Sequence, residues 1–210
     1  MAELNQLIGA LNHAADVIEE NKQHLTELDG AIGDGDHGIN MSRGFSFVKK
    51  TLDEGGFQTP ADLFKKSGMA LVAHVGGASG PLFGTAFLRA SMALKDKTEI
   101  NSEDYISILK AAAEGIKMRG KSQAGEKTML DALIPAYEAG ETALSQGKDT
   151  QEVLQAVKAA ARTGATDTEK LVAKKGRSSY LGERSLGHQD PGAASTALIL
   201  GAIADYFAAL

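Results

Sequence analysis

Apolar residues recur along this chain at steps of three and four, the spacing that lines one face of an α-helix. Leu4, Leu7, Ile8, Leu11, Ala15 and Ile18 set the pattern and predict a first helix from about residue 3 to 25. Ile39, Phe45, Val48 and Leu52 carry a second, which Gly55-Gly56 stops. Thr59-Pro60, a capping residue followed by a proline suited to the first helical position, opens a third through Leu63, Phe64, Ala70 and Leu71. A fourth runs from the Gly76–Pro81 break to about residue 94. Asn101 caps a fifth, with Ile106, Leu109, Ala113 and Ile116 facing inward. The sixth begins near Thr128 and carries Leu133 and Tyr137, with a kink expected at Pro135. Thr150 caps a seventh bearing Val153, Leu154, Val157 and Ala161, and an apolar eighth covers about 192 to 210. No stretch alternates as a strand does. The expectation is an all-α, antiparallel eight-helix bundle forming one domain over residues 1–210.

Short connections make consecutive helices antiparallel, so alternate loops fall at the same end. Loops one, three, five and seven are Asp29–Gly38, Gly76–Gly80, Arg119–Lys127 and Lys174–Asp190. All four are unusual in glycine or charge, whereas the turns around Gly55, Asp96 and Gly147 read as plain and solvated. One end is therefore expected to carry the function.

The strongest chemical signal is D-G-A-I-G-D-G-D-H-G-I-N-M-S-R, Asp29 to Arg43, which sets Asp29, Asp34 and Asp36 within eight residues. Carboxylates that close repel one another unless a cation sits among them. Hard oxygen ligands without cysteine suit Mg²⁺ or Ca²⁺ better than zinc. An EF-hand counted from Asp34 fails, because its required glycine falls on Ile39 and its glutamate on Phe45. Magnesium holding phosphates is the favoured reading. Gly76–Gly80 precedes a helix and offers an anion backbone N–H groups, with Ser79 adding a hydroxyl. Gly115–Ser122 fits the Walker A letters but lies in a helical run with no strand before it, so it is not read as a P-loop.

The seventh loop, from Gly176 to Gly192, carries Arg177, Arg184, His188 and Asp190. An arginine there suits neutralising charge on a phosphoryl group. A Ser185/His188/Asp190 triad can be spelled from the letters, but closeness in sequence gives no warrant for its geometry. His37 among the aspartates could orient a metal ligand or bind phosphate, and Leu82 with Met129 could form an apolar slot for a purine.

Composition narrows the partners. Net charge is 22 − 27 = −5, which argues against a broad nucleic-acid-binding surface. Cysteine is absent, no apolar run reaches bilayer length, and the start does not resemble a signal peptide. A cytoplasmic protein without membrane contact is expected.

Four ordered runs, L-D-G-A-I-G-D-G-D-H-G-I-N-M-S-R-G-F, V-G-G-A-S-G-P-L-F-G-T, G-E-K-T-M-L-D and G-R-S-S-Y-L-G-E-R-S-L-G-H-Q-D-P-G-A, together resemble the nucleotide-binding L subunit of dihydroxyacetone kinase. The same unit forms the C-terminal domain of ATP-dependent dihydroxyacetone kinases, and the likeness spans nearly the whole chain. It implies an antiparallel barrel of eight helices with a nucleotide, ADP or ATP, at one mouth. By that pattern Asp29, Asp34 and Asp36 hold two Mg²⁺ ions bridging the phosphates. His37, Gly38, Ile39, Asn40, Ala78, Ser79, Gly120, Thr128, Met129, Arg177, Asp190, Pro191 and Gly192 match positions around the nucleotide, with Arg177 the catalytic candidate.

In the phosphotransferase-system type, ADP stays bound, a phosphohistidine on an M subunit recharges it, and the phosphoryl group passes to dihydroxyacetone on a K subunit. The chain offers no second unit for the sugar, so it is expected to be a subunit of the kinase. Two alternatives stay open: an L subunit of an ATP-dependent short-ketose kinase with free nucleotide exchange, and a nucleotide-sensing module acting on a partner such as a transcriptional regulator.

Overall fold

The long first helix that the apolar spacing predicts is two helices. The computed structural model describes residues 2–210, with α1 at Leu4–Glu20 and α2 at Lys22–Ile32. Between them Asn21 leaves helical geometry (φ −97°, ψ 7°), and its side-chain amide donates to the carbonyl of Val17 at 2.8 Å. Asparagine competes for backbone groups in this way without the warning of glycine or proline. Because α2 runs on to Ile32, past the predicted end, Asp29 stands in its last turn instead of in a loop.

The remaining helices follow the predicted order: α3 His37–Glu54, α4 Pro60–His74, α5 Ser79–Ala93, α6 Ser102–Gly120, α7 Leu130–Ser145, α8 Thr150–Asp167 and α9 Pro191–Ala208. The total is thus nine α-helices among the described residues, one more than the spacing predicts. Thr59 caps α4, its hydroxyl oxygen accepting the Asp62 N–H at 3.1 Å. Asn101 and Asp104 cap α6 reciprocally. The cap of α8 is Asp149, one residue before the predicted Thr150, with its carboxylate accepting the Glu152 N–H at 2.9 Å. Pro135 lies inside α7 and has no N–H for the Asp131 carbonyl. Gly164 of α8 packs onto that carbonyl, where a Cβ would stand 2.2 Å from the oxygen. The seventh loop is ordered, as a 3₁₀ turn at Thr168–Lys170 and a 3₁₀ stretch at Arg177–Ser185 bent at Gly182.

Each helix packs on the next, α1 on α3, α3 on α4 and so on to α8 on α9, and α9 packs back on α1. Eight helices thereby close a ring, with α2 lying against α3 and α9. Inside it are the predicted inward faces, among them Leu11, Ile18, Phe45, Leu63, Leu71, Ile116 and Val157, all buried. The start of α9 is held by small residues, Ala193 against Ala132 of α7 and Ala165 of α8. Among the described residues an isolated bridge, Ala2 to Ile100, is the extent of β structure, and no helix is long and apolar enough to cross a membrane.

Candidate functional site

All four odd-numbered loops meet at one cavity of about 500 Å³. The meeting of these loops at one end is what their alternation predicts, and Asp29, Asp34, Asp36, His37, Ala78, Ser79, Gly120, Thr128, Met129, Arg177, Asp190, Pro191 and Gly192 line the cavity. Gly38, Ile39 and Asn40 stand outside the lining. Gly38 packs on α2, where a Cβ would meet the Lys22 carbonyl oxygen at 2.1 Å. Ile39 is exposed, and Asn40 accepts from the Arg43 guanidinium at 2.8 Å. Gly115 is inside α6 and Gly120 ends it, so the Walker A letters carry no P-loop. Nor do the letters of a triad form one. Ser185 is buried, donating to the Gly182 carbonyl, while Asp190 caps α9.

Asp29, Asp34 and Asp36 each bring a carboxylate oxygen within 4.8 Å of the others. The turn is folded by Asp29 itself, whose Oδ2 accepts the N–H groups of Asp36 at 2.9 Å and His37 at 3.1 Å. Gly33 permits this closeness, since a Cβ there would lie 2.1 Å from Asp29 Oδ1. The Arg177 guanidinium reaches across from the seventh loop to Asp34 Oδ2 at 2.9 Å. Three carboxylates without a thiol are a donor set that fits a hard divalent cation such as Mg²⁺.

His37 ties three helices together. Its Nδ1 lies 3.1 Å from the Ser79 hydroxyl and its Nε2 2.7 Å from the Ser195 hydroxyl. Ser195 spends its one hydrogen on the Pro191 carbonyl, 3.0 Å away, so Nε2 is the donor and Nδ1 accepts from Ser79. The ring is neutral. Burial holds its pKa below the ordinary imidazole value despite the opposing pull of Asp29 and Asp36.

The N-termini of α3, α5, α7 and α9 all open on this cavity, each the positive end of a helix dipole. Asp29 answers the first. Asp131 answers the third, with its oxygens accepting from Thr128 N–H at 2.7 Å and Gly125 N–H at 2.5 Å. Asp190 answers the fourth, accepting from Ala193 N–H at 2.8 Å. The α5 N-terminus has no side-chain cap and no acidic residue in its first turn. It is the end left open to an anion. Asp190 is buried, and its pKa is pushed up to about 7, chiefly by desolvation and further by Asp131, against the pull of the Ala193 N–H and Lys127.

Sequence reading misses Lys127. It lies on the cavity wall and is buried, with its ammonium donating to the carbonyls of Thr168 (2.7 Å), Leu171 (3.2 Å) and His188. A lysine in a polar loop reads as solvated, and what buries this one comes from more than forty positions away. Leu82, Phe83 and Ile116 join Met129 in an apolar part of the lining.

Residues 31–205 match the family model of the DAK2 domain. Over 196 residues the chain is 50% identical to the ADP-binding subunit DhaL of PEP-dependent dihydroxyacetone kinase 1 from Listeria innocua, covering 92% of this chain and 91% of that protein. It is 40% identical over 195 residues to the ADP-binding subunit DhaL of the Escherichia coli PEP-dependent kinase, with 93% of each covered. The solved dihydroxyacetone kinase of C. freundii in complex with AMP-PNP and Mg²⁺ aligns with a TM-score of 0.75 at 28% identity, over 98% of this chain and 34% of that one. With most of its length matched, and with relatives matched nearly end to end, the chain belongs to the DAK2 domain family.

Proposed function

We propose that this chain is the ADP-binding subunit of a PEP-dependent dihydroxyacetone kinase. It is one nucleotide-binding domain over residues 1–210, an eight-helix barrel with ADP or ATP and two Mg²⁺ at one mouth. The observation that carries the reading is the trio of carboxylates at a cavity that also receives the uncapped N-terminus of α5. Identity of 50% and 40% to subunits named as ADP-binding supports it, as does the C. freundii kinase in complex with AMP-PNP and Mg²⁺.

Phosphoryl transfer asks a protein for positioning and charge neutralisation more than covalent help. When bound, the nucleotide supplies a relay for the phosphoryl group, from a phosphohistidine on an M subunit to dihydroxyacetone on a K subunit, and Mg²⁺ supplies charge to offset the phosphates. Asp29, Asp34 and Asp36 would hold the metal. The first N–H groups of α5 would take phosphate oxygens, because the Ser79 hydrogen is committed to His37. Leu82, Ile116 and Met129 would exclude water from the purine. Arg177 brings a positive charge to the moving group and is the catalytic candidate.

Mass spectrometry of nucleotide released from native protein after gel filtration tests this reading, with close to one ADP per chain expected. Washout of labelled nucleotide into unlabelled ADP during turnover would instead favour a kinase using free ATP.

A further inference from the structure

We infer that Lys127 is a positioning residue: its buried ammonium ties the loop carrying Arg177, and the start of α9, to the Thr128–Met129 wall of the cavity. The inference rests on the nucleotide reading above in one respect, that the wall and the loop face the same ligand.

Lys127 is 1% exposed, although lysine is rarely buried. Its backbone is left-handed, at φ 61°, a conformation unfavourable to any residue with a Cβ. That backbone belongs to a side chain whose three N–H bonds each meet a different carbonyl, those of Thr168, Leu171 and His188. Thr168 and Leu171 precede the Arg177 segment and His188 follows it, so one atom closes the segment at both ends. Backbone bonds surround the closure: Lys174 N–H to the Glu126 carbonyl at 3.1 Å, and Gly187 N–H to the Glu169 carbonyl at 2.8 Å. The Asp190 N–H donates to the Thr168 hydroxyl at 2.9 Å.

Arg177 itself is 70% exposed along its side chain. Its place is therefore fixed by the base of its loop more than by packing around it. Removing the ammonium takes this donor from the part-buried Leu171 and His188 carbonyls and leaves the buried Thr168 carbonyl only the Leu171 N–H. Arginine is no substitute, because its donors spread in a plane instead of diverging from one atom.

The chain has no cysteine, so K127C introduces a unique thiol. Alkylation in urea with 2-bromoethylamine restores an ammonium at the lysine position, and iodoacetamide gives a neutral amide of similar length. After refolding, amide hydrogen exchange is followed without ligand, and release of Mg-ADP is timed separately. The aminoethyl form is expected to match wild type in both. The neutral form is expected to exchange about tenfold faster or more at Gly187 and Asp190, with the middle of α4 unchanged, and to release Mg-ADP about tenfold faster.

Wild-type behaviour of the neutral form in either measurement overturns the inference, as does an acceleration spread evenly over all helices. Should the neutral form not refold, K127R provides the second measure, and wild-type protection of Gly187 in it would equally overturn the inference. If wild-type protein binds no Mg-ADP, the nucleotide reading fails, while exchange in the ligand-free forms still decides the tie.

Discussion

At the mouth of the ring the turns are drawn inward by buried charge, while at the opposite end they lie in water around an apolar pocket. The far pocket, about 260 Å³, is lined by residues such as Leu7, Leu11, Ile100, Leu154 and Phe207. Tyr105 also lines it, its buried hydroxyl lacking a hydrogen-bond partner among the described residues. Two glycines divide along a different line. Gly55, in a far turn, has φ 65° and open space where a Cβ would go. Gly38, at the mouth, has the α2 backbone in that space. The first glycine answers to a backbone angle and the second to close approach, although the letters are the same. Gly77, Gly125 and Gly176 at the mouth are of the first kind, with positive φ and open space, so it is buried charge and not glycine that sets the two ends apart.

The sharpest way to break this comparison is Asp34→Asn. Titration calorimetry should find Mg-ADP affinity lowered roughly a hundredfold, while Asp149→Asn at a far turn leaves it alone. An unchanged affinity in the first would remove the metal from the mouth. Next comes Arg177→Ala, which should slow phosphoryl transfer about a hundredfold or more but weaken Mg-ADP binding less. Its melting temperature should hold, because the pair with Asp34 is exposed. Equal losses in transfer and binding would make Arg177 a holding residue only.

The glycines can be set against each other by urea unfolding. Gly38→Ala drives a methyl into the Lys22 carbonyl and should cost about 2 kcal/mol or more. Gly55→Ala should cost about 2 kcal/mol as well, but from its backbone alone, since φ 65° with ψ −143° is a region nearly reserved to glycine. Enlarging the side chain separates the two: with open space at its position, Gly55→Leu should cost no more than Gly55→Ala, and a clear further loss would refute that origin.

Asp190 sharpens the picture through pH. Its folded pKa, about 7, lies above the ordinary 3.8, so the folded ligand-free chain keeps a proton that the unfolded chain gives up. The stability this contributes is complete below about pH 4 and is lost as pH rises to about 7, with a slope approaching 1.4 kcal/mol per pH unit. Asp190→Asn retains a good cap and should lack that decline in denaturation curves. Identical wild-type and variant pH dependence would refute it. The smallest change belongs to the far pocket. Tyr105→Phe removes a buried hydroxyl without a partner and should raise stability by about 1 kcal/mol, with no effect on nucleotide.

Much of this was legible in the letters, for a physical reason. Burying one face of a helix imposes a period, so Leu7, Leu11, Ile18 and Phe45 announce their own side of the ring. Alternating connections then gather the four odd loops without any three-dimensional information. What stayed hidden depends on partners distant in sequence or on a subtle local competition. Asn21 breaks a helix by bonding one turn back. Lys127 is buried only because Thr168, Leu171 and His188 arrive around it. The Asp29–Gly38 run reads as one loop, yet the helix that begins at His37 takes in its last two residues and packs Gly38 against α2. Ser195 sits in an apolar helix and has no motif of its own, although it fixes the hydrogen on His37.

The return of α9 onto α1 has a kinetic meaning. Every other seam of the ring joins near neighbours along the chain and can form early and locally; this one must bring together segments at opposite extremes of the sequence, so its loop-closure entropy is the largest. The helix that makes the final seam is also the one bearing Asp190, Pro191 and Gly192 at its start. Refolding should therefore recover helical signal before it recovers a competent mouth, because the last and most demanding step of folding is also the step that completes the site.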